Sequence, residues 1–209
     1  MVTTIYLIRH SGPFVNIKNY EDYENVSWEE YNKNMILSVE GEKKAEKLCE
    51  IEELKNIDDI YSSNSFRAIA TAKYLAENNN TKIKLDDRIN EREFGCKYLN
   101  QLPPDFTKKS FDNKNYKFLD GESLNEMDSR LNDFINEILN QKREKTIIVI
   151  HGIMLLSFLS NVCDYKFDGE KTFAKYNNKL IINVKPKNPG VYKITYSENN
   201  EIIDIDVIN

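Results

Sequence analysis

The chain has 209 residues, 40% hydrophobic and 30% charged with only 7 Gly and 5 Pro, which favours one compact domain and excludes a disordered or collagen-like chain. Its 29 basic and 34 acidic residues leave a formal charge of -5, so broad binding to nucleic acid or to a membrane surface is disfavoured, while a local cationic pocket is not. Cys49, Cys96 and Cys163 lack the spacing of a disulfide framework or zinc site, and no apolar run or leader suggests a membrane span or export, so a cytoplasmic location is expected.

Residues 3–8 (TTIYLI) read as a strand buried on both faces, ending at Arg9-His10-Ser11-Gly12. Residues 39–54 place Ala45, Leu48 and Ile51 three apart behind Glu40 and Glu42, as in a surface helix. A short strand at 59–62 ends at Ser63-Asn64-Ser65 before Arg67, and 65–77 offers one broad apolar helix face. Ser123-Leu124-Asn125-Glu126 has the form of a capping box opening a helix through Leu139. The run TIIVI at 146–150 ends at His151-Gly152, and 152–162 reads as a buried helix. Residues 179–184, 191–197 and 202–207 read as strands, the last two as a hairpin turning at Asn199-Asn200.

Strands alternating with helices predict an α/β fold: a three-layer αβα sandwich with a mostly parallel central sheet and an antiparallel C-terminal edge. One domain, 1–209, is expected. Two segments fall outside the pattern, about 13–37 and 97–120, and are expected to act as lids. Their Phe14, Tyr20, Tyr23, Trp28, Tyr31, Tyr98, Phe106 and Phe111 offer either walls of a substrate site or local packing within the lids, and Lys108 and Lys109 either contacts for a second anionic group or a solvated pair.

Both histidines follow directly on an apolar strand. In an open α/β sheet such positions border the crevice where ligands bind, so His10, His151 and the strand-end Arg67 are expected to face one another. Arg9 and Arg67 are guanidinium forks suited to phosphate oxygens, and Arg67 lies in a first helical turn that also favours anions. A zinc site built from the two histidines is the rival, but flanking arginines would set cations beside a cation. A phosphoryl group is the better guest.

These residues resemble the histidine phosphatase superfamily, in the branch that contains cofactor-dependent phosphoglycerate mutase and many small phosphatases. The resemblance runs over most of the chain, through Arg9-His10 with Asn16, Leu37-Ser38-Val39-Glu40-Gly41, the stretch from Tyr61-Ser62-Ser63 to Arg67-Ala68-Ile69-Ala70-Thr71-Ala72, Arg88-Ile89-Asn90-Glu91-Arg92-Glu93-Phe94-Gly95, Gly121-Glu122-Ser123 and His151-Gly152.

It implies that His10 is the nucleophile of a phosphohistidine intermediate, that Arg9, Asn16, Arg67 and His151 hold phosphate, and that Glu91 is the acid and base. It implies a small phosphorylated metabolite as substrate, with no metal and no cofactor. The residues alone would also allow Glu91 to be a surface carboxylate paired with Arg88 or Arg92. Ser123 reads as a helix cap, and Ser62, Ser63 and Ser65 as turn and cap residues rather than nucleophiles.

Ser11 stands where the family usually has Gly, which bears on the shape of the phosphate pocket. Phe94 replaces the tyrosine common in the mutases and Cys96-Lys97-Tyr98-Leu99 lacks their following motif, so hydrolysis is expected over mutase transfer. The alternatives are mutase-type phosphoryl transfer and a catalytically silent module that binds phosphorylated ligands.

Overall fold

A computed structural model describes residues 2–15 and 26–209. A six-stranded sheet has the order β3-β2-β4-β1-β8-β9, built from β1 (Thr3–Arg9), β2 (Asp59–Ser62), β3 (Ile83–Leu85), β4 (Lys145–Ile150), β8 (Gly190–Tyr196) and β9 (Ile202–Val207). The first four of these run parallel, while β8 and β9 are antiparallel additions at the β1 side.

The apolar runs of β1 and β4 are continuous because both faces are covered. Ile5 and Leu7 point into a core shared with α5 (Leu124–Asn140) and α6 (Gly152–Val162), while Tyr6 and Ile8 point into a second core shared with α3 (Phe66–Asn78). This is the layered α/β arrangement expected. Helix α2 (Val39–Lys47) packs beside α3.

Helix boundaries follow the side-chain chemistry. Ser38 Oγ accepts from Gly41 N at the start of α2, and at the start of α5 Ser123 Oγ accepts from Glu126 N while Glu126 accepts from Ser123 N. Helix α2 ends seven residues short of the expected 54 and continues as 3₁₀ turns at Leu48–Glu50 and Glu52–Leu54. The three-residue spacing of Ala45, Leu48, Ile51 and Leu54 is the period of a 3₁₀ helix, and the break at Ile51 turns Leu54 fully inward.

Three further differences concern the C-terminal half and the lid segments. Residues 179–182 form β7 (Lys179–Ile182), which does not extend the main sheet but closes a separate antiparallel sheet with β5 (Asp164–Phe167) and β6 (Thr172–Tyr176). The two segments outside the alternating pattern contain short helices, α1 (Trp28–Asn34) and α4 (Phe106–Asp112). At seven residues each, they offer too few turns for a periodic pattern to register.

Candidate active site

The register of the central sheet brings the two histidines together. β1 and β4 pair in parallel with Arg9 opposite Ile150, so the residues that follow, His10 and His151, leave the sheet side by side. Their ring centroids are 5.2 Å apart at an interplanar angle of 59°. β2 pairs on the other side of β4, and Ser63 at its end is held by Ser63 N donating to Val149 O. Three strand ends thus converge.

Arg67 reaches between the rings from the first turn of α3. Its Nε donates to His10 Nε2 at 3.0 Å and its Nη2 to His151 Nδ1 at 2.9 Å; Nη1 donates to Asn32 O of α1. A guanidinium only donates, so both contacted ring nitrogens carry lone pairs. The protons therefore sit on His10 Nδ1, 2.7 Å from Ser11 O, and on His151 Nε2, 2.6 Å from Ser63 Oγ.

Burial, with the Arg67 charge second, pushes His10 down to about 3 and His151 well below the ordinary histidine value. Both rings are neutral near pH 7, and His10 directs an unprotonated Nε2 toward the cationic pocket.

Arg9 crosses from the end of β1 over the start of α6, where its Nη1 donates to Pro186 O at 2.6 Å and its buried Nε has no partner. Gly152 makes room for it: a Cβ there would lie 3.1 Å from Arg9 Nε. Glu91, half-buried, accepts from Arg92 N. Burial raises its carboxyl above the ordinary value, and the Arg92 N–H, Arg67 and Arg9 oppose that rise. It is not paired with a neighbouring guanidinium: Arg88 goes to Asp86 and Glu137, and Arg92 to Glu122 O, Ser110 Oγ and Tyr116 O.

A cavity of about 400 Å³ gathers Arg9, His10, Arg67 and Glu91 beneath apolar walls from Val15, Met35, Ile153, Leu156 and Phe167, with Glu170 and Lys185 at its border. A larger cavity, about 520 Å³, also borders Glu91 and is lined by Asp87, Glu93, Asp120, Glu122 and Glu126, which outnumber its Lys117 and Arg130. Its carboxylates repel a phosphate dianion, whereas the smaller cavity, with Arg9 and Arg67 in its lining, suits an anion. Among the described residues no group of three or more His, Cys, Asp and Glu side chains is arranged to hold a metal ion.

Ser11 does not narrow the pocket. Its backbone N–H donates to Thr71 Oγ1 and its hydroxyl to Gly41 O, tying β1 to α3 and α2. Asn16, Tyr20 and Tyr23 lie outside the described residues.

The expected aromatic walls are corrected: of the described candidates, Phe14, Trp28, Tyr31, Tyr98, Phe106 and Phe111, none lines the cationic cavity. Phe106 is buried beneath the Arg92 guanidinium, and Phe111 packs on Tyr165 and Phe167. Lys108 is engaged by Asp112 one helical turn on.

Sequence reasoning missed Ser63 as the partner of His151, and Glu122 and Arg130, which brace the Glu91 segment. Only Ser63 carried a usable signal, a polar residue at a strand end like the histidines.

The model of the histidine phosphatase superfamily (branch 1) matches residues 5–194. Phosphoserine phosphatase 1 of Hydrogenobacter thermophilus is 29% identical over 148 residues, 61% of this chain and 70% of that protein. Among solved structures, a mycobacterial glucosyl-3-phosphoglycerate phosphatase superposes with a TM-score of 0.69 at 16% identity, covering 99% of this chain and 97% of that one. A phosphoglycerate mutase from Bacillus anthracis str. Sterne gives 0.65 at 19% identity, covering 99% and 92%. No described helix is long and apolar enough to cross a membrane. With paired strand-end histidines, a bridging arginine and a family match over nearly its whole length, the chain belongs to branch 1 of the histidine phosphatase superfamily.

Proposed function

We propose that this phosphoric monoester hydrolase of the histidine phosphatase type hydrolyses a small phosphomonoester, without a metal, through a covalent phosphohistidine on His10. The observation that carries the reading is the neutral His10 ring, with Nδ1–H fixed on Ser11 O and the Nε2 lone pair facing Arg67. Nε2 attacks phosphorus in line with the ester oxygen. As phosphate enters, Arg67 turns its donors from the imidazoles to phosphoryl oxygens, joined by Arg9 with its unpartnered Nε.

The P–O bond breaks and Glu91, whose carboxyl burial pushes above the ordinary carboxylate value, gives its proton to the departing alkoxide. Water then loses a proton to the Glu91 carboxylate, attacks phosphorus and breaks the P–N bond, which restores His10 and the acid and releases phosphate. Arg9 and Arg67 form the cradle; His151, fully buried and outside the cavity lining, supports Arg67 through Nδ1 while Ser63 holds its ring.

Glu170 and Lys185 place opposite charges at the border of the cavity. They suit a leaving group bearing both an ammonium and a carboxylate. Phosphoserine, named for the Hydrogenobacter relative, is of that kind, so a phosphorylated hydroxy-amino acid is the substrate class this reading favours.

Quenching the protein mixed with radiolabelled phosphomonoester in alkaline detergent should trap a base-stable, acid-labile label on His10, and His10→Ala should abolish both label and turnover. Normal turnover by a folded His10→Ala protein would refute the assignment.

A further inference from the structure

Glu91 owes its place to residues far from it in sequence. The Arg130 guanidinium, projecting from α5, makes a fork on Glu122, with Nε to Oε1 at 2.6 Å and Nη2 to Oε2 at 2.8 Å. Its remaining hydrogens turn to the backbone that carries Glu91: Nη1 donates to Arg88 O at 2.7 Å and Asn90 O at 2.8 Å, and Nη2 to Glu91 O at 3.3 Å. A charged group thereby satisfies carbonyls at and just beyond the end of the 3₁₀ turn Asp87–Ile89.

Glu122 holds the far side of the same segment. Its carbonyl accepts from Arg92 Nε at 2.7 Å, and its N–H donates to Glu93 O at 2.7 Å. So close an approach of 121–122 to 93–95 requires glycine in both strands of chain: Gly95 has φ +69°, and a Cβ on it would lie 2.2 Å from Gly121 N. A Cβ on Gly121 would lie 2.5 Å from Phe94 C. The blocks Glu91-Arg92-Glu93-Phe94-Gly95 and Gly121-Glu122-Ser123 are therefore one structural unit.

We propose that Glu122 and Arg130 are positioning residues, forming a clamp that fixes the main chain on both sides of Glu91 and so aims its carboxyl at the ester oxygen of the substrate. The proposal rests on the reading of Glu91 as general acid. A misplaced acid costs most where the leaving group needs its proton, whereas a merely loosened fold slows every substrate alike.

The test uses the full chain and two substrates: 4-nitrophenyl phosphate, whose leaving group departs unaided, and O-phosphoserine or another alkyl phosphate that the wild type turns over. Arg130→Lys keeps the charge but cannot span Glu122 and three carbonyls. It should lower kcat/KM, which reports P–O cleavage, about ten-fold on the alkyl phosphate while leaving that on the aryl phosphate within about three-fold. Inhibition by inorganic phosphate should be unchanged. Glu122→Gln should show the same selectivity and serves as the deciding variant if Arg130→Lys fails to fold by circular dichroism.

Equal losses on both substrates, or no loss on the alkyl one, would overturn the clamp. Glu91→Gln separates the two failures: it also slows the water step that both substrates share, but in kcat/KM, which reports P–O cleavage, the loss should be about 10²-fold or more on the alkyl phosphate and far smaller on the aryl one. If Glu91→Gln is unselective, the acid reading fails and the clamp with it. If it is selective and the clamp variants are not, the clamp alone fails.

Discussion

His10 and His151 hold their protons on opposite nitrogens because one arginine donates to the free nitrogen of each ring. The arrangement keeps both rings neutral in a buried site, and it costs stability in acid. An unfolded histidine takes up a proton near its ordinary value of 6.5, whereas folded His10 resists until about 3, with His151 displaced in the same direction. Lowered folded values mean that stability is complete above about 6.5 and is lost progressively as pH falls below it. The melting temperature should therefore drop between about pH 7 and pH 4.5, and His10→Asn should show a smaller drop. An identical pH dependence in that variant would contradict the buried neutral ring.

The elements meet at glycines where backbone touches backbone. At the start of α2, Gly41 lies against the chain leaving β1, and a Cβ there would stand 2.0 Å from Gly12 O. That oxygen also accepts from Ser38 N, and Gly41 O accepts the Ser11 hydroxyl. Gly41→Ala must therefore push α2 away from the strand end that carries His10. The expected cost is about 1–3 kcal/mol of stability, read by denaturant unfolding, with reduced activity. The Leu37–Gly41 block, legible in the sequence as a helix start, is thus also a contact point behind the active site. Serine at position 11 fits the same joint, since its hydroxyl serves α2 and not the pocket.

At the scale of the whole molecule, a chain of net charge -5 holds a cationic pocket beside an acidic cavity, with Glu91 bordering both. Burial and mutual repulsion make Arg9 and Arg67 costly without an anion, so phosphate should stabilise the fold. At a hundred times its Kd the gain should be about 2.7 kcal/mol, visible as a rise in melting temperature. Arg67→Ala should lose most of that rise; an undiminished rise would place phosphate elsewhere.

The sequence by itself determined the buried parallel strands, the capping box at Ser123, the strand-end histidines His10 and His151 and the first-turn Arg67, because strand hydrophobicity, capping chemistry and polar punctuation are local properties. Only the tertiary structure decided that β7 leaves the main sheet, that Phe167 rather than the lid aromatics walls the cavity, and that Ser63 stands behind His151, and Glu122 and Arg130 behind Glu91. Those outcomes depend on register and on contacts between residues dozens of positions apart, which no local pattern encodes.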